Sequence, residues 1–333
     1  MDRMDFTQSV VRIKVMEKRL LDNITIDKLV DANDIGEAIK ILETTEYASS
    51  ISKVKDSKNY EEILYNELNR VYELVREITP YKAISDLMAL KYDYHNIKVM
   101  LKERLKGEDL SSLYIPIGTV DFNILKESFE TSDFRNIDGR FSSVIQEVIS
   151  DFEKNSDPQR IDILVEKAYF NHMYDIAKET GIELFINYVK DLIDFTNIIA
   201  VLRLKKQNKG LPFVEEVLLP NGNIELDQIL VSYADSIDAI INRFRTSNIT
   251  KALKAGLDLY NSTGRISAFE KSMDDHLMEL IKESKSVVFG PEPIFAYLVA
   301  KEMEIKVLRI IMVSKLNNIS PQAIRERLRE LYV

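Results

Sequence analysis

The sequence predicts an all-α fold, because three features of its 333 residues agree. Glycine and proline are scarce, with 10 and 8 residues, and the first proline is Pro80. Apolar residues recur at three- and four-residue steps, as in the run from Ile63 to Ile78, and this is the period of an amphipathic helix. Sustained alternation of apolar and polar residues, which would indicate strands, is rare.

Short segments that contain Pro, Gly, Asn or Ser divide the chain. Such residues punctuate regular structure, so we expect helices to begin or end at them. The segments are TPY (79–81), YIPIG (114–118), SDP (156–158), KGLP (209–212), LPNGN (219–223), STG (262–264), GPEP (290–293) and ISP (319–321).

Composition excludes several classes of function. The net charge of −9 argues against a nucleic-acid-binding protein, which needs a basic face to neutralise phosphates. The absence of cysteine excludes disulfides, thiolate nucleophiles and Cys-based metal sites. The longest run without Asp, Glu, Lys or Arg, Leu110 to Val120, is far shorter than the ~20 apolar residues of a membrane-spanning helix. The N-terminal residues also lack the apolar core of a signal peptide, so we expect neither a leader nor a membrane span.

Self-comparison indicates an internal repeat. When Asp93, Asp194 and Glu304 are placed in register, apolar residues coincide one, four and eight positions later. The segments PIGTV (116–120) and PNGNI (220–224) also correspond, as do IDKL (26–29), FNIL (122–125) and LDQI (226–229). The period of roughly 100 residues is too long for a solenoid unit and predicts three similar helical domains. Their expected ranges are 1–119, with an additional N-terminal helix, 120–223 and 224–333.

A basic residue follows each aligned acid by eleven positions: Arg104, Lys205 and Lys315. Eleven residues are close to three helical turns, so acid and base share a face but lie ~16 Å apart and cannot pair directly. One interpretation is that each reaches a neighbouring helix or a partner. The alternative is that the pair flanks a buried apolar segment and keeps its ends hydrated.

No catalytic motif is present. The sequence lacks the common nucleotide-binding glycine loops, the nucleophile elbow and the kinase signatures. The three histidines are isolated, and Glu67 occupies the repeat position of His172 and His276, which favours a structural role. The pair Asp274-Asp275 would need a third carboxylate at position 278 to bind a magnesium–diphosphate, but Met278 stands there, so we interpret the pair as a solvated helix face. We therefore predict no catalytic residue, no cofactor and no metal.

The last long predicted helix carries charged residues among apolar ones. Glu302 precedes Lys306 by four positions, which is the spacing of a helical ion pair. Arg309 stands beside Leu308 and Ile310, where an unpaired buried charge would be costly, so we expect it to pair with an acid of this chain or of a partner. The candidate interface or inter-domain polar residues are therefore Asp93, Arg104, Asp194, Lys205, Glu302, Glu304, Lys306, Arg309 and Lys315.

The C-terminal segment from Gly290 to Val333 contains a GPEP turn, AKEMEI and LRII stretches, a Lys-Leu-Asn exit and a final IRERLRE. In these features it resembles the end of the C subunits of the V/A-type rotary ATPases, which correspond to the d subunits of eukaryotic vacuolar ATPases. Length, helical character, triplication and the lack of catalytic motifs extend the resemblance over the whole chain. The family tends to have Asn and Gly where this sequence has Val307 and Ser314, so its polar contacts there are not assumed.

The resemblance implies a non-catalytic adaptor in the central stalk. Family members are funnel-shaped, with three similar helical domains around a pseudo-threefold axis. They sit at the cytoplasmic face of the membrane, peripheral to it, on the proteolipid c-ring, and receive the central-shaft subunits of the D and F type. They transmit torque between ATP hydrolysis or synthesis and proton or sodium transport. No direct lipid insertion and no nucleic-acid partner are implied.

Two other classes of protein remain open on the residues alone. A soluble all-α scaffold unrelated to rotary motors would have the same composition but would not bind a proteolipid ring. The only feature in favour of a helical enzyme is the incomplete Asp274-Asp275 motif.

Overall fold

In the computed structural model, which describes residues 1–56 and 59–333, every regular element is a helix. The predicted all-α class is confirmed. Short 3-10 helices lie at Arg3–Phe6, Ser111–Leu113 and Glu283–Ser286. The α-helices of the described residues are α1 (Thr7–Glu17), α2 (Asn23–Asp31), α3 (Ile35–Leu42), α4 (Ala48–Ile51), α5 (Tyr60–Ile78), α6 (Ala83–Lys106), α7 (Phe122–Thr131), α8 (Gly139–Asn155), α9 (Pro158–Thr180), α10 (Glu183–Lys206), α11 (Leu211–Val217), α12 (Leu226–Ser232), α13 (Ile237–Arg243), α14 (Thr250–Thr263), α15 (Ile266–Lys282), α16 (Glu292–Leu316) and α17 (Pro321–Arg325).

The segments predicted as breaks all lie at helix ends or between helices. Local chemistry explains several of them. The Asp157 carboxylate accepts the Gln159 N–H and caps α9, whose first residue is Pro158. Gly264 takes a left-handed conformation at the end of α14, where a residue with a side chain would be strained.

The chain divides into two compact units. The first consists of Met1–Ser85 together with Ile237–Val333, and the second of Asp86–Ser236. The division into three domains at 1–119, 120–223 and 224–333 therefore stays a prediction from the repeat. None of the described helices is long and apolar enough to span a lipid bilayer.

Helix α16 is the core of the first unit. It is buried almost all the way round, and it packs against α1, α3, α5, α15 and α17. A helix buried on every side leaves few positions for charge, so the charged residues it does contain need partners in the interior. In the second unit, α10 packs against α9, α11 and α12 and buries thirteen of its residues, including two aspartates.

Candidate functional site

The first aligned acid, Asp93 in α6, is buried and binds the loop before α7. Its carboxylate accepts the backbone N–H groups of Thr119 at 2.7 Å and Val120 at 3.1 Å, and also the Thr119 hydroxyl at 2.8 Å. The loop backbone passes so close that a Cβ atom on Gly118 would lie 1.9 Å from Asp93 Oδ1. A glycine is therefore required for this approach, whatever its dihedral angles.

The second aligned acid, Asp194 in α10, repeats the arrangement before α12. It is buried and accepts the backbone N–H groups of Asn223 at 3.0 Å and Ile224 at 3.1 Å. A Cβ atom on Gly222 would lie 2.1 Å from Asp194 Oδ1. The loops PIGTV and PNGNI thus have the same function, since each brings a glycine against a buried aspartate.

The third aligned acid, Glu304 in α16, binds the segment before α2. Its carboxylate accepts the Leu21 N–H at 2.6 Å and the Tyr47 hydroxyl at 2.8 Å, and it is buried. Here Arg19 stands where the other two copies have glycine. Glutamate is one methylene longer than aspartate, so it reaches the N–H without the close backbone approach that excludes a Cβ atom. All three acids are buried, so they do not keep a helix end hydrated.

The capping residues of the following helices define the register of the repeat. Val120, Ile224 and Leu21 stand immediately before the N-cap residues of α7, α12 and α2, respectively. In this register Ile26 is equivalent to Leu125, whereas the sequence comparison had matched Ile26 to Phe122, the first residue of FNIL. The repeat itself is supported, but that landmark was wrong by three residues.

The basic residue Lys205 reaches the other end of the same neighbouring helix. Its Nζ donates to the carbonyl oxygens of Tyr233 at 2.5 Å and Asp235 at 2.6 Å, just after α12. These carbonyls lack partners within the helix, and the negative end of the helix dipole favours a cation. One long helix thus holds the short helix α12 at both ends, by an acid at its start and a lysine at its end.

The basic residue Lys315 makes the same contact in the first unit. Its Nζ donates to the carbonyl oxygens of Val30, at 2.5 Å, and of Ala32, at the end of α2. Helix α2 is therefore held by Glu304 at its start and Lys315 at its end. We call these paired contacts the acid contact and the lysine contact.

Arg104 differs from its two counterparts. It is exposed, and among the described residues no acceptor lies within hydrogen-bond distance of its guanidinium. It lines a pocket of about 390 Å³ at the end of α7. The other lining residues are Met100, Glu103, Tyr114, Lys126, Phe129, Glu130 and Ser132. The lysine contact is thus made in two copies of the repeat and not by Arg104.

Two asparagines that sequence reasoning missed strengthen the acid contacts. Asn96 and Asn197 each exchange two hydrogen bonds of 2.8 Å with one backbone residue, Ile115 and Leu219 respectively. Val307 is the equivalent residue of α16. The residue equivalent to Ile115 and Leu219 is Met16, which lies inside α1 and is already hydrogen-bonded there, so no side-chain amide is needed.

A buried ion cluster around Lys301 was also missed. Lys301 Nζ lies 2.6 Å from Glu304 and 3.4 Å from Glu67, and these three side chains are at most 2% exposed. Arg70 binds Glu67 at 2.7 Å. Burial by itself lowers the pKa of Lys301, but the negative charges of Glu304 and Glu67 outweigh it and the pKa is raised. Lys301 is therefore a buried cation. The equivalence of Glu67 to two histidines gave only a weak signal of its structural role.

The interpretation of Asp274-Asp275 as a solvated helix face is wrong. Asp274 is buried and accepts Lys306 Nζ at 2.5 Å and Arg329 Nε at 3.0 Å. Asp275 accepts the Glu330 N–H at 2.7 Å. The pair anchors the C-terminal residues to α15, and that non-local contact could not be read from the local sequence. No group of three or more metal-ligand side chains occurs within residues 1–56 and 59–333.

The remaining candidates of α16 have partners in their own unit. Lys306 binds Asp274 as described, while Glu302 accepts the Tyr72 hydroxyl. Arg309 Nε lies 2.9 Å and 3.1 Å from the two oxygens of Glu61, and both side chains are about half exposed. Arg309 is thus at the surface and paired with an acid of its own chain.

Replacing Arg309 with methionine is expected to lower the free energy of unfolding by less than about 1 kcal/mol, because exposed ion pairs contribute little. The shift should shrink further in high salt. Urea unfolding followed by circular dichroism at low and high salt measures both effects. A loss well above this range would contradict the assignment of Arg309 to the surface.

Asp194 makes stability dependent on pH. Burial raises its pKa to about 7, although the hydrogen bonds from Ile224 and Asn223 oppose the shift. In the unfolded chain the pKa of this residue is ~3.9. Between that pH and about 7, the folded state therefore binds more protons at Asp194 than the unfolded state does. The resulting stabilisation is present below pH ~4 and is lost as the pH rises towards about 7.

We therefore expect the wild type to lose up to ~1.4 kcal/mol per pH unit in this window relative to Asp194→Asn, which cannot titrate. Unfolding free energies of both proteins, measured at intervals from pH 4.5 to 7.5, give the difference, in which the other carboxylates cancel. Parallel profiles for the two proteins would contradict the prediction.

Comparison of the sequence with known proteins identifies its family. The profile of the ATP synthase (C/AC39) subunit family matches residues 9–327. The chain is 25% identical over 320 residues to the C subunit of the V-type sodium ATPase of Enterococcus hirae, covering 96% of this chain and 97% of that protein. It is 27% identical over 339 residues to the C subunit of the A-type ATP synthase of Methanocaldococcus jannaschii, covering 96% and 85%. The chain belongs to the ATP synthase (C/AC39) subunit family.

Proposed function

We propose that this chain is a non-catalytic subunit of a V/A-type rotary ATPase or ATP synthase, which links the rotor shaft to the proteolipid c-ring and transmits torque between them. Its partners are the D- and F-type shaft subunits and the ring, and it lies at the cytoplasmic face of the membrane without entering the lipid. The named relatives, the C subunits of a V-type sodium ATPase and of an A-type ATP synthase, support membership of such a motor.

The observation that best supports torque transmission is that two short helices are each held at both ends by side chains of a long helix. Helix α12 is held by Asp194 and Lys205, and α2 by Glu304 and Lys315. A body that transmits torque must not yield at its connections, and hydrogen bonds in which one partner is charged, such as those of Glu304, Lys205 and Lys315, are among the stronger restraints available.

The test is co-purification of the tagged chain from native membranes. We expect the proteolipid ring and the shaft subunits to be recovered with it at physiological salt. The control is the same tag on an unrelated soluble protein of the same cell. Recovery of the chain alone from the soluble fraction, while the motor remains assembled, would overturn the proposal and would favour a scaffold unrelated to rotary motors.

A further inference from the structure

The N-terminal helix α1 has one face without a partner in the described residues. Its inner face packs on α16 and buries Val10 and Ile13. On the outer face, Val11 and Val15 are 62% and 50% exposed, and Met4 in the preceding turn is 59% exposed. Four of the fifteen large apolar side chains that the described residues expose lie between Met1 and Val15. This concentration in so short a stretch distinguishes α1 from the rest of the surface.

The spacing on this face is that of a helix-packing seam. The outward residues are Met4, Gln8, Val11, Val15 and Lys18, at successive steps of four, three, four and three, and we call them the α1 seam. Alternating steps of this kind form the narrow contact line of paired helices. Within α1, Val11 and Val15 lie roughly 40° apart around the helix axis, much narrower than the broad apolar face of a helix that lies in a lipid surface. The seam thus favours a helix as its occupant over a membrane.

Asp5 flanks Met4 at the N-terminal end of the seam, but the positions that flank Val11, Val15 and Lys18 are basic. Arg12, Lys14 and Arg19 occupy them, on a chain whose net charge is −9. Lys14 pairs with Glu17 and Arg19 with Glu46, whereas no described residue accepts a hydrogen bond from Arg12. Flanking charges select the partner of a helix by complementarity. A second copy packed in parallel would place Lys14 of one chain beside Arg19 of the other, so the expected occupant carries acids at these flanking positions.

A second exposed strip extends the surface. The residues from Lys285 to Phe289 run alongside the N-terminal helices. Lys14 Nζ of α1 lies 3.5 Å from the Lys285 carbonyl oxygen, and Arg3 Nε, in the first 3-10 helix, donates to the Phe289 carbonyl at 3.1 Å. Val288 and Phe289 are 65% and 43% exposed on this strip. This strip offers further apolar contacts beside the N-terminal end of the seam.

We propose that the α1 seam binds an amphipathic helix of another subunit, with apolar residues at alternating three- and four-residue steps and acidic residues beside them. This inference rests on the proposed function, since it requires that the chain is part of a multisubunit motor. It adds to that function the location of one interface and the chemistry of its partner.

The experiment places a photo-cross-linking amino acid at Val15 in the tagged full-length chain and irradiates the purified motor. We expect cross-links to one helix of one other subunit, at residues spaced by three or four, with Asp or Glu beside them. The matched control is the same substitution at Val231, which is 53% exposed on α12. Four results would each overturn the proposal. Val15 could cross-link only to lipid, only to a second copy, to nothing, or to the same residues as Val231.

The variant Val11→Ser/Val15→Ser gives an independent measurement. Both valines are exposed, so the thermal unfolding midpoint should change little, whereas the salt concentration that releases the chain from the motor should fall. Release at the wild-type salt concentration would overturn the seam alone. Absence of the wild-type chain from every motor preparation would overturn the proposed function, and the seam with it.

Discussion

Replacing Lys301 with methionine is expected to lower the free energy of unfolding by about 3–5 kcal/mol, which is the effect of removing one partner from a buried ion pair. The substitution keeps the length and apolar packing of the side chain but leaves Glu67 and Glu304 buried without the cation between them. Arg70 still donates two hydrogen bonds to Glu67, and the Leu21 N–H and the Tyr47 hydroxyl still donate to Glu304, so the loss is large without being complete.

The control for Lys301 is Lys251→Met. The Lys251 side chain is 89% exposed, and its Nζ lies 3.8 Å from Glu279. Its replacement should change the unfolding free energy by less than about 0.5 kcal/mol. The double variant Lys301→Met/Glu304→Gln should lose less than the sum of the two single losses, because the uncompensated charge is removed. A Lys301→Met protein whose unfolding free energy stays within about 1 kcal/mol of the wild-type value would contradict the buried cluster.

Replacing Gly222 with alanine is expected to lower the free energy of unfolding by about 2–4 kcal/mol, because a buried acceptor loses its donors. The new Cβ atom would lie 2.1 Å from Asp194 Oδ1, so the loop or the carboxylate must move. Either movement breaks the hydrogen bonds from Asn223 and Ile224. Gly118→Ala, with its Cβ atom 1.9 Å from Asp93 Oδ1, should behave in the same way.

Gly139→Ala is the matched control for both glycines. No atom lies within 4 Å of a Cβ atom built there, and the residue begins α8. Alanine at such a position should be neutral or stabilising by about 0.5–1 kcal/mol. In an Asp194→Ala background, Gly222→Ala should have little further effect, since the clashing carboxylate is gone. An equal loss in both backgrounds would show that the acid contact is not the reason for the glycine.

The sequence was sufficient for the fold class and for finding the positions of the repeated acids and bases. Few glycines and prolines, helical periodicity and the segments between helices are local features, and local features decide where helices begin and end. The alignment of Asp93, Asp194 and Glu304 also located three buried residues that make equivalent contacts. It could not show that their partners are backbone N–H groups, because those lie in other segments of the chain.

The residues that were missed act through contacts distant in sequence. Lys301 pairs with the nearby Glu304 but also with Glu67, which comes more than two hundred positions earlier, and Asp274 pairs with Arg329 near the C-terminus. One signal was available, however. The two copies that have aspartate also have glycine two residues before the bound N–H, and the copy with glutamate has Arg19 there. That covariation within one chain expresses the steric reason for the glycine.

The coupling measurement tests the central claim, that this chain transmits torque in a rotary motor, most directly. Membrane vesicles from cells that lack the chain are compared with vesicles in which the wild-type chain has been restored, and ATP-driven ion uptake is recorded beside ATP hydrolysis. We predict that hydrolysis persists in the detached head while ion uptake falls to background, and that restoring the chain recovers uptake. Undiminished ATP-driven uptake in vesicles without the chain would contradict the account.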